Sequence, residues 1–191
     1  MKNISLCVFL GNPGRDYVHT RHNAGFMLTE RQPDLHSASW QEKFHSEYTS
    51  LPAGGRKIHL LRPQTFMNKS GVATAAAASF FKIDPADILV VHDELELPFG
   101  TIGVRSGGGL GGHNGLRSIA ERLGTKEFAR LRIGIGRPKG GSVSSYVLSQ
   151  FNSDEKAVLP TILDEAVRMF DTLLEGGYRT EVKRTAVDPH G

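Results

Sequence analysis

ISLCVFL, residues 4–10, is an apolar run fit for a strand buried on both faces, and it stops at Gly11-Asn12-Pro13-Gly14. A second such run, ILVVH at 88–92, stops at Asp93. KIHLLR (57–62), residues 101–105 and LRIGI (131–135) supply further strands. Helical spacing fills the gaps between them. A helix begins near Asn23 and is cut short by Pro33, and Val72, Ala75, Ala76, Ser79 and Phe80 mark another over 70–82. Leu116, Ile119, Ala120 and Leu123 mark a third. Leu163, Val167, Phe170 and Leu174 form an amphipathic stripe on a long element from Ser153 to Glu175, with Ser153 suited to the N-cap and Gly176-Gly177 to the C-cap. Pro160 is expected to kink or divide that helix, and the polar tail from about residue 179 to fray. Strands alternating with helices predict one α/β domain over residues 1–191, a largely parallel, twisted mixed sheet flanked by helices.

Composition narrows the class. The 191 residues are 39% hydrophobic and 23% charged, ordinary for a soluble globular chain of one domain. No apolar run approaches the length that spans a bilayer, and the N-terminal run lacks the length and cleavage site of a signal peptide, so a cytoplasmic location is expected. Cys7 is the sole cysteine, which excludes an intrachain disulfide and a cysteine-based zinc site; it fits a buried strand position. A net charge of +3 is compatible with a polyanionic partner without demanding one.

In open α/β sheets, sites gather at the carboxyl ends of strands. Four clusters fall there. NPGRDYVHTRHNAG (12–25) returns two His, two Arg, a Tyr and two Asn from one strand end. Its alternative is structural: Asn and Gly serve the turn and His22 caps the helix. RPQTFMNKSG (62–71) puts Phe66 and Met67 in a loop beside Asn68; they form a platform for a base or ribose, or else cover core while Asn68 caps the next helix. In HDELELPFG (92–100), Asp93 ends a buried strand, where a carboxylate can orient an imidazole, while Glu94 and Glu96 suit solvated positions. GGGLGGHNG (107–115) matches G-x-G-x-x-G past the middle of the chain rather than after the first strand, which weakens a dinucleotide reading, and no Gly-Lys-Ser/Thr follows for a P-loop. The glycines instead permit close backbone approach to a large ligand, with His113 and Asn114 at a helix mouth that favours an anion. His19, His22, His92, Asp93 and His113 offer metal ligands on paper, but no recognised ligand spacing is present; no metal and no cofactor are expected.

These clusters, in this order, resemble the bacterial peptidyl-tRNA hydrolase family: NPGxxYxxTRHNxG (12–25), PxTFMNxSG (63–71), VVHDELxLPFG (90–100), GGGxGGHNGLRSI (107–119) and FARLRIGIGRP (128–138). The resemblance covers about residues 4–151. Phe9 stands where Gly is usual, Arg62 where Lys is, and Glu94 and Glu96 where Asp is common; residues 29–40 look short and polar. The resemblance implies hydrolysis of the ester joining a peptide to the 3′ ribose of tRNA, by a cytoplasmic monomer serving translation and ribosome rescue. It implies His22 as general base, Asp93 as its orienting carboxylate, and Asn12 as the sensor of the peptide. Tyr17, Phe66, Asn68, His113 and Asn114 would bind the substrate's 3′ end or peptide backbone, with Asn68 or Asn114 donating to the oxyanion. Arg105 and Arg132 would meet tRNA phosphates; ordinary solvated charges are the alternative. Two other classes compete: a nucleotide enzyme built on the glycine loop, and an RNA-binding module without chemistry. The loop's position disfavours the first. An oriented base, which pure binding does not need, disfavours the second.

Overall fold

Strand β1 (Leu6–Phe9) is wholly buried and pairs in parallel with two neighbours, β4 (Arg56–Pro63) and β5 (Ile88–Glu94). In the computed structural model, which describes residues 3–176 and 183–186, β5 pairs in parallel with β7 (Ala129–Gly134). Antiparallel strands extend both sides. β2 (Gln41–Lys43) and β3 (Ser46–Ala53) lie beyond β4, while β6 (Thr101–Ser106) and β8 (Lys183–Ala186) lie beyond β7. The order is β2-β3-β4-β1-β5-β7-β6-β8. The expected α/β domain with a mixed sheet flanked by helices is what forms, and parallel pairing is confined to its four central strands. The backbone of 183–186 joins the sheet where a frayed tail was expected; the other residues after Gly176 lie outside the described ones.

Strand alternation sends side chains to two layers. Cys7, Phe9, Leu89, Val91, Leu131 and Ile133 pack against helices α1 (Ala24–Arg31) and α6 (Ser153–Gly176). Leu6, Val8, Leu10, Ile88 and Val90 pack against α3 (Ser70–Phe81) and α4 (Asn114–Leu123). Pro33 does end α1: it holds Gln32 in extended backbone and then starts the short α2 (Pro33–His36), with Gln32 accepting from the Leu35 N–H. Pro160 sits inside a continuous α6 rather than dividing it. That helix is capped one residue earlier than expected, by a reciprocal pair: the Glu155 N–H donates to Asn152 Oδ1 and the Asn152 N–H to Glu155 Oε1. The short α5 (Val143–Val147), capped by Ser142, was not anticipated.

Gly25 is where the first helix meets the sheet. A Cβ there would lie 2.6 Å from both the Leu10 and Val91 carbonyl oxygens, which are backbone atoms just after β1 and in the middle of β5 and cannot swing away. This contact presses the residues just before α1 onto the carboxyl edge of the sheet. Gly25→Ala should therefore destabilise the fold by about 3 kcal/mol, the upper part of the overpacking range; an unchanged midpoint in urea unfolding would contradict that approach.

Candidate active site

Three strand ends and one helix start converge at the carboxyl edge. Asn12 follows β1, Met67 follows β4, Asp93 lies near the end of β5, and His113 precedes α4. Asn12 is held on three sides. Its N–H donates to Asn23 Oδ1 (2.9 Å), the Asn23 Nδ2 donates to the Asn12 carbonyl (3.0 Å), and the Met67 N–H donates to Asn12 Oδ1 (2.7 Å). These bonds fix the amide so that Nδ2 remains as its donor. Asn23 was not singled out in the sequence, and it neither caps α1 nor lets His22 do so: no side chain caps that helix.

His22 sits in the single 3₁₀ turn Arg21–Asn23. Its Nδ1 lies 3.0 and 2.9 Å from the two oxygens of Asp93, and His113 Nε2 lies 2.9 Å from Asp93 Oδ1. Asp93 is 1% exposed. Burial pushes its carboxyl pKa up, yet the two imidazoles override this and hold it well below the usual carboxylate range. Burial also works against a charged His22, and the Asp93 charge and hydrogen bond prevail, raising that imidazole above its ordinary value near 6.5. His113 has its other nitrogen engaged too, because Nδ1 accepts from the Gly115 and Leu116 N–H groups at 3.1 and 3.3 Å and so caps α4.

A cleft of about 410 Å³ opens over this group. Asn12, Tyr17, Phe66, Asn68 and Asn114 all line it together with His22, Asp93 and His113. Asn68 and Asn114 are exposed, and Asn68 makes no capping bond to the next helix. Phe66 is 58% exposed and meets Tyr17 edge-on at 6.2 Å, whereas Met67 is buried in the core, so the two apolar residues divide the two roles open to them. A larger groove of about 970 Å³ shares Asn12 but contains neither His22 nor Asp93; chemistry, not size, marks the site.

The ligating atoms of His22, Asp93 and His113 lie within 4.8 Å of one another, a spacing that a divalent ion could bridge. Hydrogen bonding weighs against it. To ligate through Nε2, a neutral His113 would carry its proton on Nδ1, where it would face two backbone N–H donors. His19 is exposed on the rim of the larger groove, and His92 turns Nδ1 to the Asp93 carbonyl (2.7 Å), outside the group.

One of the two arginines departs from expectation. Arg132 is not a free surface cation: it is 4% exposed, and its Nε donates to Glu94 Oε1 at 2.8 Å. Glu94 is likewise buried, not solvated. Arg105 is half-buried on β6. Nothing in the sequence marks Arg130, which is fully buried and donates to the carbonyls of Gly107 and Gly109, tying down the glycine loop; burial pulls its guanidinium down to about 10. Arg21 was also missed. It donates to Ser149 Oγ, to the Gln150 carbonyl (2.7 Å) and to Glu155 Oε1 (2.6 Å), and its guanidinium lies 4.2 Å from the Tyr146 ring centroid. It thereby joins the His22 turn to α5, whose Val143, Ser144 and Val147 form one wall of the cleft.

A mixed α/β sheet carrying a buried carboxylate that aims an imidazole into an open cleft is an arrangement suited to a hydrolase. The peptidyl-tRNA hydrolase family model matches residues 6–190. The chain is 46% identical to a peptidyl-tRNA hydrolase of Geobacter sulfurreducens over 90% of each chain, and 43% identical to one of Mycobacteroides abscessus over 90% of this chain and 89% of that one. The crystal structure of peptidyl-tRNA hydrolase from Acinetobacter baumannii superposes with a TM-score of 0.84 at 41% identity, covering 91% of this chain and 90% of that one. A complex of peptidyl-tRNA hydrolase with N-propanol gives the same TM-score. The chain belongs to the peptidyl-tRNA hydrolase family. Among the described residues, no helix is long and apolar enough to cross a membrane.

Truncating Arg21 would leave Glu155 without its cation and unhook α5. Arg21→Ala should destabilise the protein by about 2–4 kcal/mol and open residues 142–150 to limited proteolysis; wild-type stability and wild-type cleavage kinetics would show that the tether carries no strain-bearing role.

Proposed function

We propose that this chain hydrolyses the ester between a peptide and the 3′ ribose of tRNA, with His22 as general base. The observation that carries this reading is the hold of Asp93 on His22 Nδ1, which leaves Nε2 as a lone pair facing the cleft. Water in the cleft gives a proton to Nε2 as its oxygen attacks the ester carbonyl. The tetrahedral intermediate then collapses, the C–O bond to the ribose breaks, and the imidazolium returns its proton to the 3′ oxygen. Asp93 keeps the imidazole in its Nδ1–H tautomer and stabilises the imidazolium without itself taking the proton.

The amides divide the remaining work. Asn12, with its oxygen committed to Met67, offers Nδ2 to the peptide carbonyl; an ammonium in place of an acylated nitrogen cannot match a site built for an amide, which disfavours free aminoacyl-tRNA. Asn68 or Asn114, both exposed on the cleft, donates to the oxyanion. The Tyr17–Phe66 pair suits stacking of the terminal base. Arg105, half-buried on β6, suits contact with a tRNA phosphate, whereas Arg132 is buried against Glu94 and serves the frame rather than the phosphate contact. The protein is proposed to act as a monomer, and a substrate made in translation suits the cytoplasm.

A positioned base contributes roughly 10²–10⁴ in rate, so His22→Ala should lower the single-turnover rate on N-acetyl-aminoacyl-tRNA by about that factor while binding persists. A near-normal rate would overturn the mechanism. The pH dependence follows from the direction of the His22 shift. The base acts neutral, its proton is held more firmly than in an ordinary imidazole, and activity therefore fades as pH falls through a midpoint above 6.5. A kcat/KM profile with its acid limb clearly below that value would contradict the Asp93–His22 coupling.

A further inference from the structure

His113 is placed unlike the other cleft residues. Both its ring nitrogens are engaged by the protein, one with the start of α4 and one with Asp93. We propose that His113 is a positioning residue, locked in one tautomer by the N-terminus of α4, which takes part of the Asp93 charge and thereby sets how strongly Asp93 holds a proton on His22. The proposal rests on the reading of His22 as the base.

A neutral imidazole has one N–H and one lone pair. The Gly115 and Leu116 N–H groups both point at His113 Nδ1, so Nδ1 carries the lone pair. The single proton is then on Nε2, 2.9 Å from Asp93 Oδ1. A second proton on Nδ1 would oppose two backbone donors at the positive end of the α4 dipole. His113 thus supplies Asp93 with a fixed, uncharged donor. Local packing is built for this: a Cβ on Gly115 would lie 3.1 Å from His113 Cε1 and 2.6 Å from Met67 Sδ, so glycine lets the ring fold back over the helix start.

The surroundings add little competing charge. On β5, His92 stands T-shaped to His113 at 5.1 Å, and burial drives its pKa far enough down to keep it neutral. Glu94 is matched by Arg132 of β7, and Arg130 is spent on the glycine-loop carbonyls. Arg21, beside His22, faces Glu155. Asp93 therefore divides its charge between two imidazole N–H groups. Withdrawing the His113 donor concentrates that charge on His22 and favours the imidazolium.

Two substitutions separate the two ends of the ring. Asn at 113 places Oδ1 near the Nδ1 position and keeps the cap, but is too short to reach Asp93. Gln places Nε2 near the ring Nε2 and keeps the donor, but has no acceptor for the helix. Ring-nitrogen NMR titrations of wild type, His113→Asn and His113→Gln, with kcat/KM pH profiles, test the idea. The expected wild-type result is a His113 ring with its proton on Nε2 and its lone pair on Nδ1. In His113→Asn the His22 midpoint and the acid limb should rise together by about 0.5–1 pH unit, with the melting temperature nearly kept. His113→Gln should leave the His22 midpoint in place and lower the melting temperature. A wild-type His113 protonated on Nδ1, or a His22 midpoint unmoved in His113→Asn, would overturn the proposal. The tautomer measurement needs no variant and no substrate. A His22→Ala enzyme of normal rate would instead sink the base assignment while the ring titrations still report on His113.

Discussion

A buried carboxylate shared by two imidazoles organises this molecule. Asp93 has almost no contact with solvent, and an ionised carboxylate in such a place is tolerable only when its oxygens accept hydrogen bonds. Here the donors come from opposite layers of the fold. His22 arrives from the turn that leads into α1, on the face covered by α1 and α6; His113 arrives from the loop before α4, on the face covered by α3 and α4. They meet over the end of the strand that the parallel core places beside β1 and β7. The parallel sheet with helices on both faces is thus the arrangement that lets one carboxylate be reached from two sides.

Around that centre, polar ties decide what is fixed and what is free. Asn23 and the Met67 N–H immobilise Asn12, Arg130 immobilises the glycine loop, and Arg21 immobilises the wall formed by α5. These bonds are formed before any ligand arrives, so they add no ordering cost at binding. Phe66, Asn68 and Asn114 are different: they stand exposed, the ring offering a stacking face and the two amides polar atoms to an incoming chain. The site combines a rigid base with adaptable donors at its mouth, which suits a substrate whose ester geometry is constant and whose peptide varies.

Much of this was legible in the chain itself, for stated reasons. The runs ISLCVFL and ILVVH advertise strands buried on both faces, and polar residues immediately after such runs fall at the edge where sites form. The eight residues assigned to base, orienter and substrate contacts do share one cleft. What escaped was set by partners distant in sequence. β2 is three polar residues, and its hairpin with β3 turns through Phe44 and His45 at positive φ, where glycine would have given the signal; the ring of Phe44 is instead held among Tyr48, Phe80 and Phe81. α5 is too short and too rich in serine to show a period. Arg21 and Arg130 look like any surface cation until Glu155 and the loop carbonyls, 134 and 21–23 residues away, are brought to them.

The arginines of β7 carry the same lesson into electrostatics. Arg130 and Arg132 alternate with Ala129, Leu131 and Ile133, so both point to one face of a strand buried on both. In the parallel register Arg132 lies beside His92, one step of the alternation away from Glu94 on the same face. The link to Glu94 is therefore a diagonal one, and a side chain of glutamate length spans it, its Oε1 meeting Arg132 Nε at 2.8 Å. An aspartate at 94 would be one methylene shorter and would not span it. The glutamate thus holds this cation within the sheet and leaves Arg105, on the neighbouring strand, as the more accessible charge. Where the Glu96–Arg137 pair is exposed and adds little, the Glu94–Arg132 pair is closed off from solvent, and breaking it would strand a buried charge. The closed Glu94–Arg132 pair therefore makes this arginine part of the frame beneath the site rather than of its exposed surface.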